Sequence, residues 1–406
     1  MRVVLIIFAS SILACCRPEV LDSPPIQSDK DKFEVIWKVS ITNGLYSISM
    51  DPLLFQDMVV INSEYPLHGE HAPVMFLDTV DGSIEHLWSA TPNQIDSYGD
   101  YQAAVDGDFL MLGSHLRIDC MNMSTRQTNW VATMELNSPY IYANNGFVYR
   151  GIMHTWHNGR NKGASLMRAS VSTGEWDTVY TLVQTGRYAP FFDAVGFGNL
   201  SNGDEVIVWK NRSEHTSQPD ITEILAYNLT ADSLMWRNRD HEVGSTIQPV
   251  QIYQGRVYAM LYDRMIALDL MTGKTIWNQD FSSRNFTLPQ FFSEGEFYID
   301  QNRMVVKGPN KEILIVGLHS GVLANVIDNE HYGIHDPFAY FEGKLFFGND
   351  AGLSVIDAYT GESLIETRQV EHLGDIKCQI LIDPARRVLY THDGYYLYCV
   401  KIPENL

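Results

Sequence analysis

The stretch GRVYAMLYDRMIALDLMTGKTIW, residues 255–277, decides the fold. It reads as a strand, a tight turn, a second strand, a Thr-Gly turn and a third strand ending on Trp277. Its runs are apolar or alternating, and rich in β-branched and aromatic residues, as buried sheet is. The Thr-Gly turn needs a residue tolerant of positive φ, which Gly273 supplies. Asp269 can cap the same turn through its side-chain oxygen.

Weaker copies recur on both sides. Before it come MVVINSE (58–64) with VMFLDTVDGSIEHLW (74–88), then DFLMLGSHLRIDCMNMSTRQTNW (108–130). FVYRGIM (147–153) with SLMRASVSTGEWDTVY (165–180) and DEVIVWK (204–210) with EILAYNLTADSLMW (223–236) complete that side. After it comes a degenerate copy, GEFYID (295–300) with MVVKGPNKEILIVGLHSGVLANVI (304–327). GKLFFGNDAGLSVIDAYTGESLIE (343–366) is clean again, and ARRVLYTHDGYYLYCVKI (385–402) stops before an outer strand. The turn anchors Gly82, Arg126, Gly174, Asp232, Gly273, Gly321 and Gly361 recur every 40 to 58 residues or so, the period of a propeller blade. An inner strand must precede each copy; YQAAV (101–105), TIQPVQIY (246–253), LPQFFS (288–293) and FAYFE (338–342) fit.

The segment FEVIWKVSI (33–41) has no partner strands before it. It supplies the outer strand that the last copy lacks. Joining first and last segments in one blade closes the ring and removes open edges. The expected fold is all-β: an eight-bladed propeller of four-stranded antiparallel blades over residues 33–406. Seven blades is the alternative, with the degenerate sixth copy misread.

ALDLMTGKTIW (267–277), MFLDTVDGSIEHLW (75–88), LAYNLTADSLMW (225–236) and VIDAYTGES (355–363) resemble the pyrroloquinoline-quinone-type repeat, AxDxxTGxxxW. That repeat occurs in quinoprotein dehydrogenases and in non-enzymatic propellers, including the lipoprotein of the outer-membrane β-barrel assembly machinery. The resemblance implies a tryptophan docking contact between blades, carried here by Trp37, Trp88, Trp130, Trp236 and Trp277. The physical reason agrees: an outer-strand indole can pack on the next blade and donate its N–H to a backbone carbonyl.

The formal net charge of −20 over 406 residues disfavours nucleic acid as a partner. Residues 1–14 read as a lipoprotein signal peptide, with Arg2 before an apolar run too short to span a bilayer. Ile12-Leu13-Ala14-Cys15 resembles a lipobox, so Cys15 is the expected lipid site. An ordinary secretory signal is the alternative. Residues 15–32, polar and Pro-containing, suit a flexible tether. These readings place the protein in the bacterial cell envelope, lipid-anchored, at the outer membrane. Cys120, Cys378 and Cys399 have no CxxC spacing and read as buried strand residues.

No haem, zinc, calcium or nucleophile-elbow motif stands out, so no cofactor, no metal and no enzymatic activity are expected. The insertions are more telling. EYPLHGEHAP (64–73), HTWHNGRNKG (154–163) and NRSEHTSQPD (211–220) all fall between second and third strands, hence on one rim. With the blade-to-blade loops they gather His154, Trp156, His157, Arg187, Tyr188, His331, Tyr332 and His335 into a candidate binding rim. The expected function is a non-catalytic scaffold for an envelope protein partner, in outer-membrane protein assembly. The alternatives are a small ligand or quinoprotein-like chemistry in the axial funnel, or glycan binding at the surface.

Overall fold

The computed structural model describes residues 33–41, 47–48, 51–64, 71–88, 102–113, 117–133, 140–155, 161–183, 189–214, 221–241, 250–261, 263–282, 297–307, 312–328, 338–349, 352–365, 373, 376 and 380–406. Their strands form eight antiparallel sheets and, among the described residues, no α-helix. Seven sheets have four strands. The first has five because its inner strand comes in two pieces, Ser47–Ile48 and Leu53–Phe55, both paired with Met58–Glu64.

The degenerate sixth copy is a full blade, Phe297–Asp300, Arg303–Lys307, Glu312–Gly317 and Leu323–Asp328 in that order. This corrects the expected inner strand at 288–293, which lies outside the described residues. The inner strand is Phe297–Asp300, turning straight into the second strand with Asp300 opposite Arg303. Gln301 has a positive φ of 49°, as Gln254 and Glu342 have in the matching turns, but Asn302 follows it where Gly255 and Gly343 follow those residues, so no glycine marks the hairpin.

Glu34–Ser40 pairs with Tyr396–Lys401, Trp37 opposite Cys399, as the outermost strand of the C-terminal blade. Blade eight then meets blade one: Arg386 reaches the Asp57 carboxylate, and the Trp37 indole donates to Thr79 O at 3.1 Å.

Alternation within each strand builds the core, because successive side chains leave opposite faces of a sheet. In Arg256–Met260, Val257 and Ala259 pack on Val206 and Val208 of blade four. Tyr258 and Met260 pack on Met304 and Val306 of blade six. Each blade is thus a shared wall between two apolar layers.

The turn anchors share one geometry. All seven have positive φ, from 51° at Asp232 to 78° at Gly361, and Arg126 and Asp232 adopt it without being glycine. Asp269 Oδ1 accepts the Thr272 N–H and hydroxyl at 2.8 and 2.7 Å, and Asp357 does the same for Thr360. The indoles of Trp130, Trp236 and Trp277 donate across the blade boundary to Val171 O, Leu270 O and Leu318 O at 2.8, 2.8 and 3.2 Å. Trp88 differs: it pairs with Val74, where Trp277 pairs with Ala267, and so lies two residue pairs further from its turn, with His86 in the matching position. It donates to the Thr128 hydroxyl at 2.9 Å instead of a carbonyl.

Candidate functional site

Strand direction alternates within a blade, so turns between strands two and three share a rim with the blade-to-blade connections. Blades three and four rise above that rim. Their second and third strands are Phe147–Thr155 and Asn161–Ser170, then Glu205–Glu214 and Ile221–Asn228, with 9, 10, 10 and 8 residues. The matching strands of blade five, Arg256–Met260 and Arg264–Asp269, have 5 and 6. Four extra residues extend a hairpin by about 13 Å. The inner strand of blade four, Ala189–Asn199, lengthens with them.

Polar side chains brace this wall. Glu223 is 8% exposed and accepts Arg237 Nη2 at 2.6 Å, Arg239 Nε at 2.5 Å and Asn211 Nδ2 at 3.1 Å. A buried carboxylate needs such partners to offset its lost hydration. Lys210, fully buried, donates to Met260 O of blade five at 3.2 Å. Asn238 donates to Gly273 O, also of blade five, at 2.8 Å. Sequence reading missed these braces. The available signal was a lysine and a glutamate interrupting apolar strand runs, in VIVWKN and ITEILAY.

Of the candidate rim residues, His154 lies within the described part. It is exposed, sits opposite Gly163 near the top of the blade-three hairpin, and its Nε2 is 2.7 Å from Ser165 Oγ. Ser165 Oγ is in turn 2.9 Å from Thr181 Oγ1. A His–Ser contact invites comparison with a nucleophile and its base. Ser165 is only 3% exposed, however, which leaves its oxygen no room for an acyl group. The chain of hydroxyls ties three strands together. Trp156, His157, Arg187, Tyr188, His331, Tyr332 and His335 lie outside the described residues, as do Cys15 and Cys378.

Cys120 and Cys399 are buried free thiols, both pushed up to about 12 by burial. Among the described residues no group of three or more His, Cys, Asp or Glu is placed to hold a metal ion. No described helix is long and apolar enough to cross a membrane.

Eight antiparallel blades, with Asp-x-x-Thr-Gly turns in blades five and seven and with the indoles of Trp37, Trp88, Trp130, Trp236 and Trp277 hydrogen-bonded across five of the boundaries, define a pyrroloquinoline-quinone-type repeat β-propeller. A family model described as Outer membrane protein assembly factor BamB matches residues 221–324, and the chain resembles that protein. The crystal structure of BamB from Moraxella catarrhalis superposes with a TM-score of 0.59 at 10% identity, covering 91% of this chain and 100% of that one. A europium-containing methanol dehydrogenase gives 0.63 at 11% identity, covering 92% and 94%. At such identities the likeness is one of fold. A stretch of 116 residues is also 29% identical to the UDP-N-acetylglucosamine 2-epimerase of Methanocaldococcus jannaschii. It covers 27% of this chain and 30% of the enzyme, so the chain spans less than a third of that relative.

Proposed function

We propose that the protein is a non-catalytic scaffold of the bacterial cell envelope, binding a protein partner in outer-membrane protein assembly. The match of residues 221–324 to the assembly-factor model carries this reading. The raised hairpins of blades three and four support it, since they form a rigid base for recognition loops. On this reading the partner meets the rim formed by His154, Trp156, His157, Arg187, Tyr188, His331, Tyr332 and His335. Residues 1–14 direct export, Cys15 carries the lipid, and residues 15–32 tether the propeller to the outer membrane. More than one acyl chain makes such an anchor effectively permanent.

The test is cross-linking in intact envelopes, followed by mass spectrometry of what co-purifies. A barrel-assembly component bound through the rim is the expected result. Its absence, with the propeller intact, would remove the assembly role. For the anchor, globomycin should accumulate the precursor and Cys15→Ala should release the protein from membranes. An unchanged membrane fraction would count against Cys15.

The likeness to a methanol dehydrogenase fold favours one second reading, a ligand or quinone in the axial funnel. A chromophore or metal retained by the purified full-length protein would put that reading first.

A further inference from the structure

We propose that a notch between blades six and seven, on the rim opposite the insertions, binds a sugar acid: a saccharide unit bearing one carboxylate. The notch has a volume of about 380 Å3 and is lined by Asp300, Gln301, Asn302, Arg303 and Tyr359. Residues 300–303 turn between the first and second strands of blade six, and Tyr359 lies in the turn between the third and fourth strands of blade seven. Both turn types belong to the rim away from the raised hairpins. The proposal therefore does not rest on the protein-binding reading.

Acidic residues also bridge other blade boundaries on this rim. Asp106 accepts the Gly146 N–H, and Glu342 accepts Arg387 at 2.8 Å. Tyr359 bonding to Asp300 is the same kind of clasp, and alone it would be structural. What differs is the unused chemistry around it. The Arg303 guanidinium lies over the Tyr359 ring, 4.7 Å from its centroid. Among the described residues its N–H groups make no hydrogen bond or ion pair, and neither do the side-chain amides of Gln301 and Asn302. Stacking fixes the plane of the guanidinium and leaves its edge free for a bidentate carboxylate.

Tyr340 Oη is 3.3 Å from Tyr359 Oη, which extends the clasp into a row of hydroxyl and carboxylate oxygens. The bond to Asp300 raises the Tyr359 pKa, and burial raises that of Tyr340. Both phenols therefore remain donors at neutral pH. A plain carboxylate at Arg303 would be repelled by Asp300, three residues earlier and directly opposite it across the turn. A neutral sugar would leave Arg303 unpaired. A ligand with one carboxylate for Arg303 and adjacent hydroxyls for Asp300 and the amides matches both. The volume is at the small end of ligand cavities, about 300–1,000 Å3, which suits one or two rings.

Calorimetric and NMR titrations of the purified full chain with D-glucuronate, D-glucose and acetate test this. Saturable binding of glucuronate is expected, with glucose and acetate each at least tenfold weaker. Arg303→Gln should weaken glucuronate at least tenfold without moving the melting temperature, because the side chain is exposed. Asp300→Asn, which keeps an acceptor for the Tyr359 phenol, should narrow the gap between acetate and glucuronate. Unchanged glucuronate affinity in Arg303→Gln, acetate binding as tightly as glucuronate, or no saturable binding would each overturn the proposal.

Discussion

Gly321 lies flat beneath the indole of Trp277: a Cβ built on it would meet ring carbons Cδ2 and Cε3 at 2.6 Å. The same relationship holds for Gly273 under Trp236, Gly174 under Trp130 and Gly82 under Trp37, all at 2.5–2.8 Å. The repeat glycine is therefore chosen twice over. It takes a positive φ, and its missing side chain makes room for the ring of the preceding blade.

These two demands can be separated by mutation. Gly321→Ala meets both a φ of 70° and the indole, and should cost about 2–4 kcal/mol. Gly255 has a φ of 71° with nothing within 4 Å of the built Cβ, so Gly255→Ala should cost only the backbone strain, about 1–2 kcal/mol. Urea midpoints of the two variants decide it. Equal losses would mean that the indole contact carries no weight.

The indole's packing and its hydrogen bond can be divided at Trp236, which is 8% exposed and donates to Leu270 O. Trp236→Ala should lose about 3–5 kcal/mol. Trp236→Phe keeps most of the ring area and drops the bond, which points to a loss nearer 0.5–1.5 kcal/mol. If Phe proves as damaging as Ala, the bond and not the packing is what docks the blade.

Buried acids make the fold sensitive to alkali. Burial pushes Cys120, Cys399 and Tyr149 up to about 12, from ordinary values of 9.0 for the thiols and 10.0 for the phenol. The folded state therefore keeps protons that the unfolded chain releases first. Their contribution is fully present below about pH 9 and is lost as pH rises from there towards 12. Urea midpoints should fall steadily between pH 8.5 and about 11. Iodoacetamide at pH 8 should label Cys120 and Cys399 only after unfolding; ready labelling of the native protein would contradict their burial.

Much of this fold is legible because its constraints are local and repeated. Gly273, Asp269 and Trp277 each have a stereochemical reason to recur at fixed spacing, and the orphan strand around Trp37 has a place only in an incomplete last blade. Arg126 and Asp232 could be aligned although neither is glycine, since the period fixed where the positive φ falls. What escaped depends on contacts between distant segments. Lys210 reaching Met260 O, or Arg303 stacking on Tyr359, follows from which blades are neighbours and has no local signature. The inner strand of blade six was misplaced because Gln301 and Asn302 make its turn without a glycine. The rim residues rest on loop composition and on which connections share a rim, and neither fixes how the side chains are arranged there.

Binding and stability should therefore separate between two tryptophans. Trp277 bridges two blades, while Trp156 falls in an insertion between strands of one blade. Trp277→Ala should lower the melting temperature by several degrees, and Trp156→Ala should leave it nearly unchanged. On the proposed function, Trp156→Ala is the variant that reduces cross-linking to the partner. Equal melting shifts would contradict the docking role, and undiminished cross-linking would take Trp156 out of the rim.

Closure of the ring by Glu34–Ser40 can be tested by removing and restoring it. A chain beginning at residue 42 leaves the strand Tyr396–Lys401 with an unpaired edge, which invites self-association. It also removes Trp37, which stacks beside Tyr390 at 5.8 Å and donates into blade one. The truncated protein should melt earlier and elute as larger species in size-exclusion chromatography. A synthetic peptide of residues 33–41 should restore both properties by adding itself as a strand to the open edge. A peptide with Trp37→Ala should pair through its backbone but rescue less, because it cannot reach Thr79. If the truncated chain is as stable and monodisperse as the full one, blade eight holds without its fourth strand, and the closure is a neighbourly contact and not a lock.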